Sequence, residues 1–339
     1  MDMTSKEFAK LLGVSQSTVS RALNNSPGVS EEVRRHIKEE AAKTGFVLNN
    51  QARSLKLAKT NTIGILLKTS FKSFSENIMV TYIIDLLQKE INGHGYDMML
   101  VSADSKETGL SPLARMVLEH KIDGIVSFQS AITDEDACIL EDRSIPFVSL
   151  FSGSDWDEKL NQFIVDFQEV GRIEGEFFSS HTGRRYAYMT VPADVNSTEK
   201  RIEGFRSGLA KNGMSIDDIL YCNKSMEAAY NYTISNIEYF RSGKLSMAVF
   251  NDFMALGITN ALQQNGVRIP EDVELLSCDD IPMASWMHPK LSTARIPVEE
   301  MVKDGCHALF SSLSGSVAEI EGKVYSPTLV LRETTITQI

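Results

Sequence analysis

The chain of 339 residues is poor in the residues that usually announce chemistry. It has four cysteines, six histidines, two tryptophans and nine prolines. Cys138, Cys222, Cys278 and Cys306 are far apart and form no C-x-x-C pair. Sequence-local zinc and dithiol motifs are therefore excluded, and free thiols in a reducing compartment are expected. His36, His94, His120, His181, His288 and His307 show no H-E-x-x-H spacing. The phosphate-cradling G-x-x-x-x-G-K-[ST], the dinucleotide G-x-G-x-x-G and the nucleophile elbow G-x-S-x-G are all missing. No enzyme, metal or cofactor is expected on these grounds. No apolar run approaches the ~20 residues that span a bilayer. The first residues also lack a charged segment followed by an apolar one, so a cytoplasmic location is expected.

What is present is an ordinary globular composition, 42% hydrophobic and 23% charged, with a net charge of −11. A nucleic-acid binder is usually basic, so the whole-chain charge argues against one. The charge is unevenly spread, however. Residues 1–60 carry ten lysines and arginines against six acids, net +4, which leaves −15 on the rest. A small basic head on a large acidic body points to nucleic-acid contact through the head alone.

The head reads as three helices. Phe8, Leu11 and Leu12 recur at helical spacing, and Gly13 ends that segment. Ser15 is a natural N-cap for a helix from Gln16 to Leu23. The cluster Asn24-Asn25-Ser26-Pro27-Gly28 is a turn. Ser30 then caps a third helix, with Glu31 and Glu32 at its positive end, that stops at Gly45. Ala9, Gly13 and Val19 stand at offsets 0, +4 and +10, the requirement of a helix-turn-helix. The small residue lets two helices approach, glycine supplies the turn, and the β-branched residue locks the pair. Residues 49–61 are polar and too short for a stable isolated helix, so they read as a linker that orders against something else.

From Thr62 onward apolar strands alternate with amphipathic helices in two series, 62–150 and 163–277, followed by a strand, a helix 297–314 and a strand at 325–331. This grammar predicts an α/β body of two doubly wound parallel sheets with a cleft between two lobes. The expected boundaries are 1–48 for the head and 49–61 for the linker. One lobe takes 62–160 with 295–322, the other 161–294 with 323–339.

Several segments together resemble the lactose-repressor (LacI/GalR) family of bacterial transcription regulators. They are Val14-Ser15-Gln16-Ser17-Thr18-Val19-Ser20-Arg21-Ala22-Leu23-Asn24, Gly28 to Arg34, Ala52-Arg53-Ser54-Leu55-Lys56, Thr62-Ile63-Gly64, Ile122 to Ile125, Arg201-Ile202-Glu203-Gly204-Phe205, Asn251 to Gly257, Ile269 to Val273, Asp279-Asp280-Ile281-Pro282 and Pro289 to Thr293. The resemblance implies a repressor, dimeric, on a pseudo-palindromic DNA operator. Residues 16–24 would enter the major groove, with Gln16, Ser17 and Arg21 reading bases. Ser15, Thr18 and Asn24 would touch phosphates. Ala52, Leu55 and Lys56 match the family's hinge helix, with Leu55 as a minor-groove wedge that kinks the duplex.

The body resembles a periplasmic sugar-binding protein, whose ligand sits between hinged lobes. Arg201, Asn251 and Asp279 match its pocket residues, and Phe74 stands where the family carries a different motif. That implies a small-molecule effector, with a carbohydrate favoured because aromatics stack on sugar faces. Met226 matches an aromatic pocket position, and Phe71, Phe151 and Trp286 are further aromatic candidates. A corepressor or a protein partner in place of an inducing sugar is the alternative. Each assignment has a plainer counterpart: a solvated helix face for Gln16, Ser17 and Arg21, interior ion pairs for Arg201 and Asp279, and a turn cap for Asn251.

Overall fold

A computed structural model describes residues 3–23, 27–46, 59–67, 78–102, 110–128, 132–151, 161–192, 196–317 and 319–336. The chain divides into two compact units, residues up to 61 with 120–122, and the remainder.

The first unit holds α1 (Ser5–Leu11), α2 (Gln16–Leu23) and α3 (Glu31–Thr44). Each starts on a side-chain cap that satisfies an otherwise orphaned amide. Thr4 and Glu7 form a reciprocal capping box on α1. Ser15 Oγ accepts the Thr18 amide at 3.1 Å, and Ser30 Oγ accepts that of Val33 at 3.4 Å. Gly13 turns the chain between α1 and α2 at φ +66°, a conformation that costs glycine little. The three helices close over Phe8, Ala9, Val19, Ala22, Ile37, Ala41 and Phe46. Phe8 and Phe46 stack at 4.0 Å between ring centres.

The second unit contains two six-stranded sheets. The first joins β1 (Thr62–Leu67), β2 (Asp97–Ser102), β3 (Gly124–Phe128), β4 (Phe147–Leu150), β5 (Gln162–Val165) and β11 (Lys323–Tyr325) in the order β11-β5-β4-β3-β1-β2, all parallel. The second joins β6 (Arg185–Thr190), β7 (Asp218–Tyr221), β8 (Leu245–Val249), β9 (Val273–Asp279), β10 (Ser292–Arg295) and β12 (Thr328–Val330) in the order β12-β10-β9-β8-β6-β7. Only the β10–β12 pair in that sheet is antiparallel. Helices α4 (Ile78–Gly93), α5 (Pro112–Leu118) and α6 (Asp134–Asp142) alternate with the first series of strands. The second series carries α7 (Phe167–Ser179), α8 (Asn196–Ala210), α9 (Met226–Ser235), α10 (Ile237–Arg241) and α11 (Asp252–Gln264), and α12 (Val298–Leu313) follows β10. Strands buried on both faces, such as β3 and β8, explain the unbroken apolar runs in the sequence.

Strand pairing corrects the expected lobe boundaries in two places. Residues 161–165 and 323–325 were assigned to the second lobe, yet β5 and β11 belong to the first sheet. β5 pairs with β4 through Leu150 and Phe163, and Phe163, Val165 and Tyr325 bury into the first core. The chain therefore crosses between sheets after β5, after β10 and after β11. Residues 226–241 form two helices that meet at Asn236, whose side-chain amide donates to the Tyr232 carbonyl at 2.8 Å.

One helix pair is packed unusually closely. Gly171 and Gly175 on α7 face Gly204 and Gly208 on α8. A Cβ at Gly171 would lie 1.9 Å from the Arg201 carbonyl oxygen, and one at Gly204 1.9 Å from that of Gln168. The two backbones touch directly, so any side chain at these positions would collide with main chain.

Candidate functional site

Two groups of residues carry the chemistry, one in each unit. In the head, Val19 and Ala22 anchor α2 in the core, and this turns Gln16, Ser17 and Arg21 outward as exposed residues. Thr18 is half-buried. The Ser15 hydroxyl holds the start of the helix, within hydrogen-bond distance of Ser17 Oγ at 2.7 Å and Thr18 Oγ1 at 2.8 Å. The far end of α2 is pinned by Arg34, whose Nη1 donates to the Arg21 carbonyl at 3.4 Å and Nη2 to that of Val29 at 3.5 Å. The Arg21 guanidinium makes no ion pair among the described residues. A rigid, capped helix thus presents an uncommitted arginine and glutamine on one face. Asn24, the linker residues Ala52, Leu55 and Lys56, and Phe74 lie outside the described residues.

In the body, the structure brings Arg201 and Asp279 into one cluster with Asn251 beside it. Arg201 on α8 is 3% exposed. Its guanidinium is sandwiched between the rings of Phe167 and Phe250, 4.5 Å from each centre. Nη1 donates to the Phe250 carbonyl at 2.6 Å, while Nε is buried without a partner. The plainer alternative, an interior ion pair, is not formed: no carboxylate among the described residues lies within salt-bridge distance of Arg201. Asn251, 7% exposed, caps α11 by accepting the Met254 amide at 3.0 Å, which leaves its amide nitrogen as a possible donor.

Asp279 ends β9 with φ +127°, a strained conformation for a residue with a side chain. Its neighbour Asp280 is clamped by Arg295 and Arg332, each at 2.7 Å. Asp279 makes no ion pair among the described residues and stays partly exposed. Crowding by protein raises its pKa, with Arg201 and then Lys224 opposing. Asp252, fully buried at the start of α11, accepts Thr293 Oγ1 at 2.7 Å and the Ile281 amide at 2.9 Å. Burial raises its pKa too, and the charge of Asp279 adds to the effect. Glu174 on α7 is fully buried, and neither carboxyl oxygen has a hydrogen-bond partner. Burial pushes its pKa well up, against the pull of Arg201. The buried hydroxyls of Tyr188, Thr190, Thr198 and Ser277 are also unpartnered. Unsatisfied buried polar groups are costly and rare in native proteins. Several of these groups lie on α7 and α8 and toward the carboxyl ends of β6 and β9, on the elements that also carry Arg201 and Asp279.

Residues 4–49 match the family described as "Bacterial regulatory proteins, lacI family", and residues 176–335 match the "Periplasmic binding protein-like domain". The chain therefore carries a LacI-family DNA-binding domain and a periplasmic-binding-like domain.

Its similarity to members of that family runs end to end. It is 27% identical to the HTH-type transcriptional repressor PurR of Vibrio campbellii, over 98% of each chain. The lac repressor dimer bound to operator and an anti-inducer shares the fold, with a TM-score of 0.80, 21% identity and coverage of 99% of this chain and 100% of that one. The CelR–cellobiose complex does so with a TM-score of 0.70, 21% identity and coverage of 98% and 99%.

Several residues of the cluster were not singled out by sequence reasoning. Lys224, just ahead of the Ser225 cap of α9, lies 5.3 Å from the centre of the Phe250 ring. Met226, matched to an aromatic pocket position, is instead the exposed first residue of α9. Phe151 packs edge-on against Phe128 at 5.3 Å, next to the first core. Trp286 is 86% exposed. Asp252 adjoins Asn251 in a quoted segment, and the spacing Gly171-x-x-x-Gly175 with Gly204-x-x-x-Gly208 was visible in the sequence. Glu174 gave no signal, because its burial arises only from the crossing of α7 and α8. Among the described residues no group of metal-ligating side chains occurs, and no helix is long and apolar enough to cross a membrane.

Proposed function

We propose that this LacI-family regulator is a repressor that binds a pseudo-palindromic operator as a dimer and is released by a small carbohydrate effector bound between its lobes. The observation that carries the reading is the capped helix α2, anchored by Val19 and Ala22 and exposing Gln16, Ser17 and Arg21 together. Arg21 suits guanine and Gln16 adenine in the major groove. Ser15 and Thr18, with Asn24, serve phosphate contacts that set register. Ala52, Leu55 and Lys56 form a hinge whose ordering on DNA the body controls. The operator-bound lac repressor dimer of like fold supports the dimeric arrangement, and the cellobiose-bound CelR supports a sugar in the cleft. So do Arg201 and Asp279, which form no ion pair among the described residues, with Asn251 supplying an amide donor.

Effector binding acts as a population shift, favouring the body conformation that misaligns the hinges. Coupling of about 1–3 kcal/mol is enough to change operator occupancy strongly. The test is fluorescence anisotropy on operator DNA recovered by selection, with sugars titrated into the complex. The expected result is a loss of operator affinity of at least tenfold with one sugar. In Arg201→Ala that release should disappear while operator binding persists. Release that is equally strong in Arg201→Ala would place the effector elsewhere.

A further inference from the structure

Resting on the reading of the cleft as an effector site, we infer that the effector is an anionic sugar, carrying a carboxylate or a phosphate that Lys224 and Arg201 hold together. Lys224 is exposed and makes no ion pair with any carboxylate among the described residues. Its ammonium lies against Phe250, the same ring that forms one wall of the Arg201 sandwich. The two cations are near enough to feel each other's charge, and both feel Asp279. Like charges do not gather around one aromatic ring without a reason, since their repulsion is unfavourable. An anion placed between them removes that repulsion and uses the buried Nε of Arg201, which has no other partner.

The local charge supports this. Three carboxyl groups stand near, Glu174, Asp252 and Asp279. Glu174 and Asp252 are fully buried, and burial favours their neutral forms. Asp279 alone is partly exposed, and it is the carboxyl group whose charge acts on both cations. Asp279 is then the acceptor for hydroxyls of the same ligand, while Arg201 and Lys224 take its anionic end. A neutral sugar would use Asp279 and the amide nitrogen of Asn251 but would leave the Lys224–Arg201 repulsion in place. Charge-assisted contacts of this kind are stronger than neutral ones.

The experiment is calorimetric titration and thermal unfolding of the full-length protein with matched ligands. Glucose and galactose are compared with glucuronate, galacturonate and gluconate, and with glucose 6-phosphate. One anionic ligand should bind at least tenfold tighter than its neutral parent. A carboxylate winner and a phosphate winner distinguish the two sources of the anion. In Lys224→Met the preference should fall to less than threefold, and Lys224→Arg should restore it. Lys224 is exposed, so ligand-free Lys224→Met should unfold at the wild-type midpoint. A neutral sugar that binds as well as its acid, or an anion preference unchanged in Lys224→Met, overturns the inference while the effector site stands. Absence of binding by every sugar, neutral or anionic, overturns both.

Discussion

At Arg21 the structure and the chemistry of the DNA groove lead to a direct expectation. The side chain is exposed, its helix is capped, and its backbone is held by Arg34. Arg21→Ala should therefore cost specific operator binding about 1–3 kcal/mol, the discrimination of one bidentate pair, while leaving the fold and sugar binding intact. Anisotropy with operator and scrambled duplexes measures it, and equal losses on both duplexes would make Arg21 a phosphate contact instead. Glu174 yields a pH prediction. Its pKa is raised in the folded state, so its contribution to stability is full in acid and is lost as pH rises from the ordinary carboxylate range of about 4 through the folded-state value. Glu174→Gln removes the ionisable group and keeps the side chain's shape. The variant should unfold at a higher temperature than the wild type at pH 8.5 and at nearly the same temperature at pH 5. Parallel pH profiles would show that Glu174 is not held neutral. Arg201, Asn251 and Asp279 could be picked out in the sequence only through resemblance. The partners that set their chemistry could not, because Glu174 and Phe167, both on α7, and Lys224, just ahead of α9, come from segments that only the fold brings together.

At the scale of elements, the glycine-lined crossing of α7 and α8 seats Arg201 between the rings of Phe167 and Phe250. A methyl group at Gly204 would meet the Gln168 carbonyl, which is backbone and cannot rotate away. Gly204→Ala should destabilise the body by at least the ~1–3 kcal/mol of ordinary overpacking, read as a lower denaturation midpoint. Gly93→Ala is the control: it meets nothing within 4 Å and sits at the end of a helix, so it should be neutral or slightly stabilising. The strand–helix alternation and the three head helices were legible because hydrophobic period and capping residues act locally. The sheet membership of β5 and β11 was not legible. Two short apolar strands look alike from either lobe, and only the pairing of Phe163 with Leu150 and the burial of Tyr325 decide between them.

At the scale of the whole molecule, an acidic body carries a basic reading head. In the proposed dimer, regulation through the body requires that two heads act together. Trp286 stands almost fully exposed on a short turn with Met283 in the same turn, 37% exposed. A large aromatic left in water is a feature of protein interfaces. Trp286→Asp should shift the protein from dimer toward monomer in sedimentation velocity at micromolar concentration and weaken operator binding with it. A variant that remains fully dimeric would move the interface to another face. The unevenness of charge was readable from the sequence, whereas this exposed turn was not, since the resemblance makes Trp286 an aromatic candidate for the effector pocket.

The central claim is that α2 reads DNA sequence for a two-headed repressor. It is tested most directly by selecting bound duplexes from a random pool with the full-length protein and with Arg21→Ala in parallel. The account predicts that the wild type enriches an inverted repeat, with half-sites about one helical turn apart, and that Arg21→Ala loses preference at one symmetric pair of positions. Enrichment of no repeat by the wild type, or the same repeat at the same strength from Arg21→Ala, would contradict it.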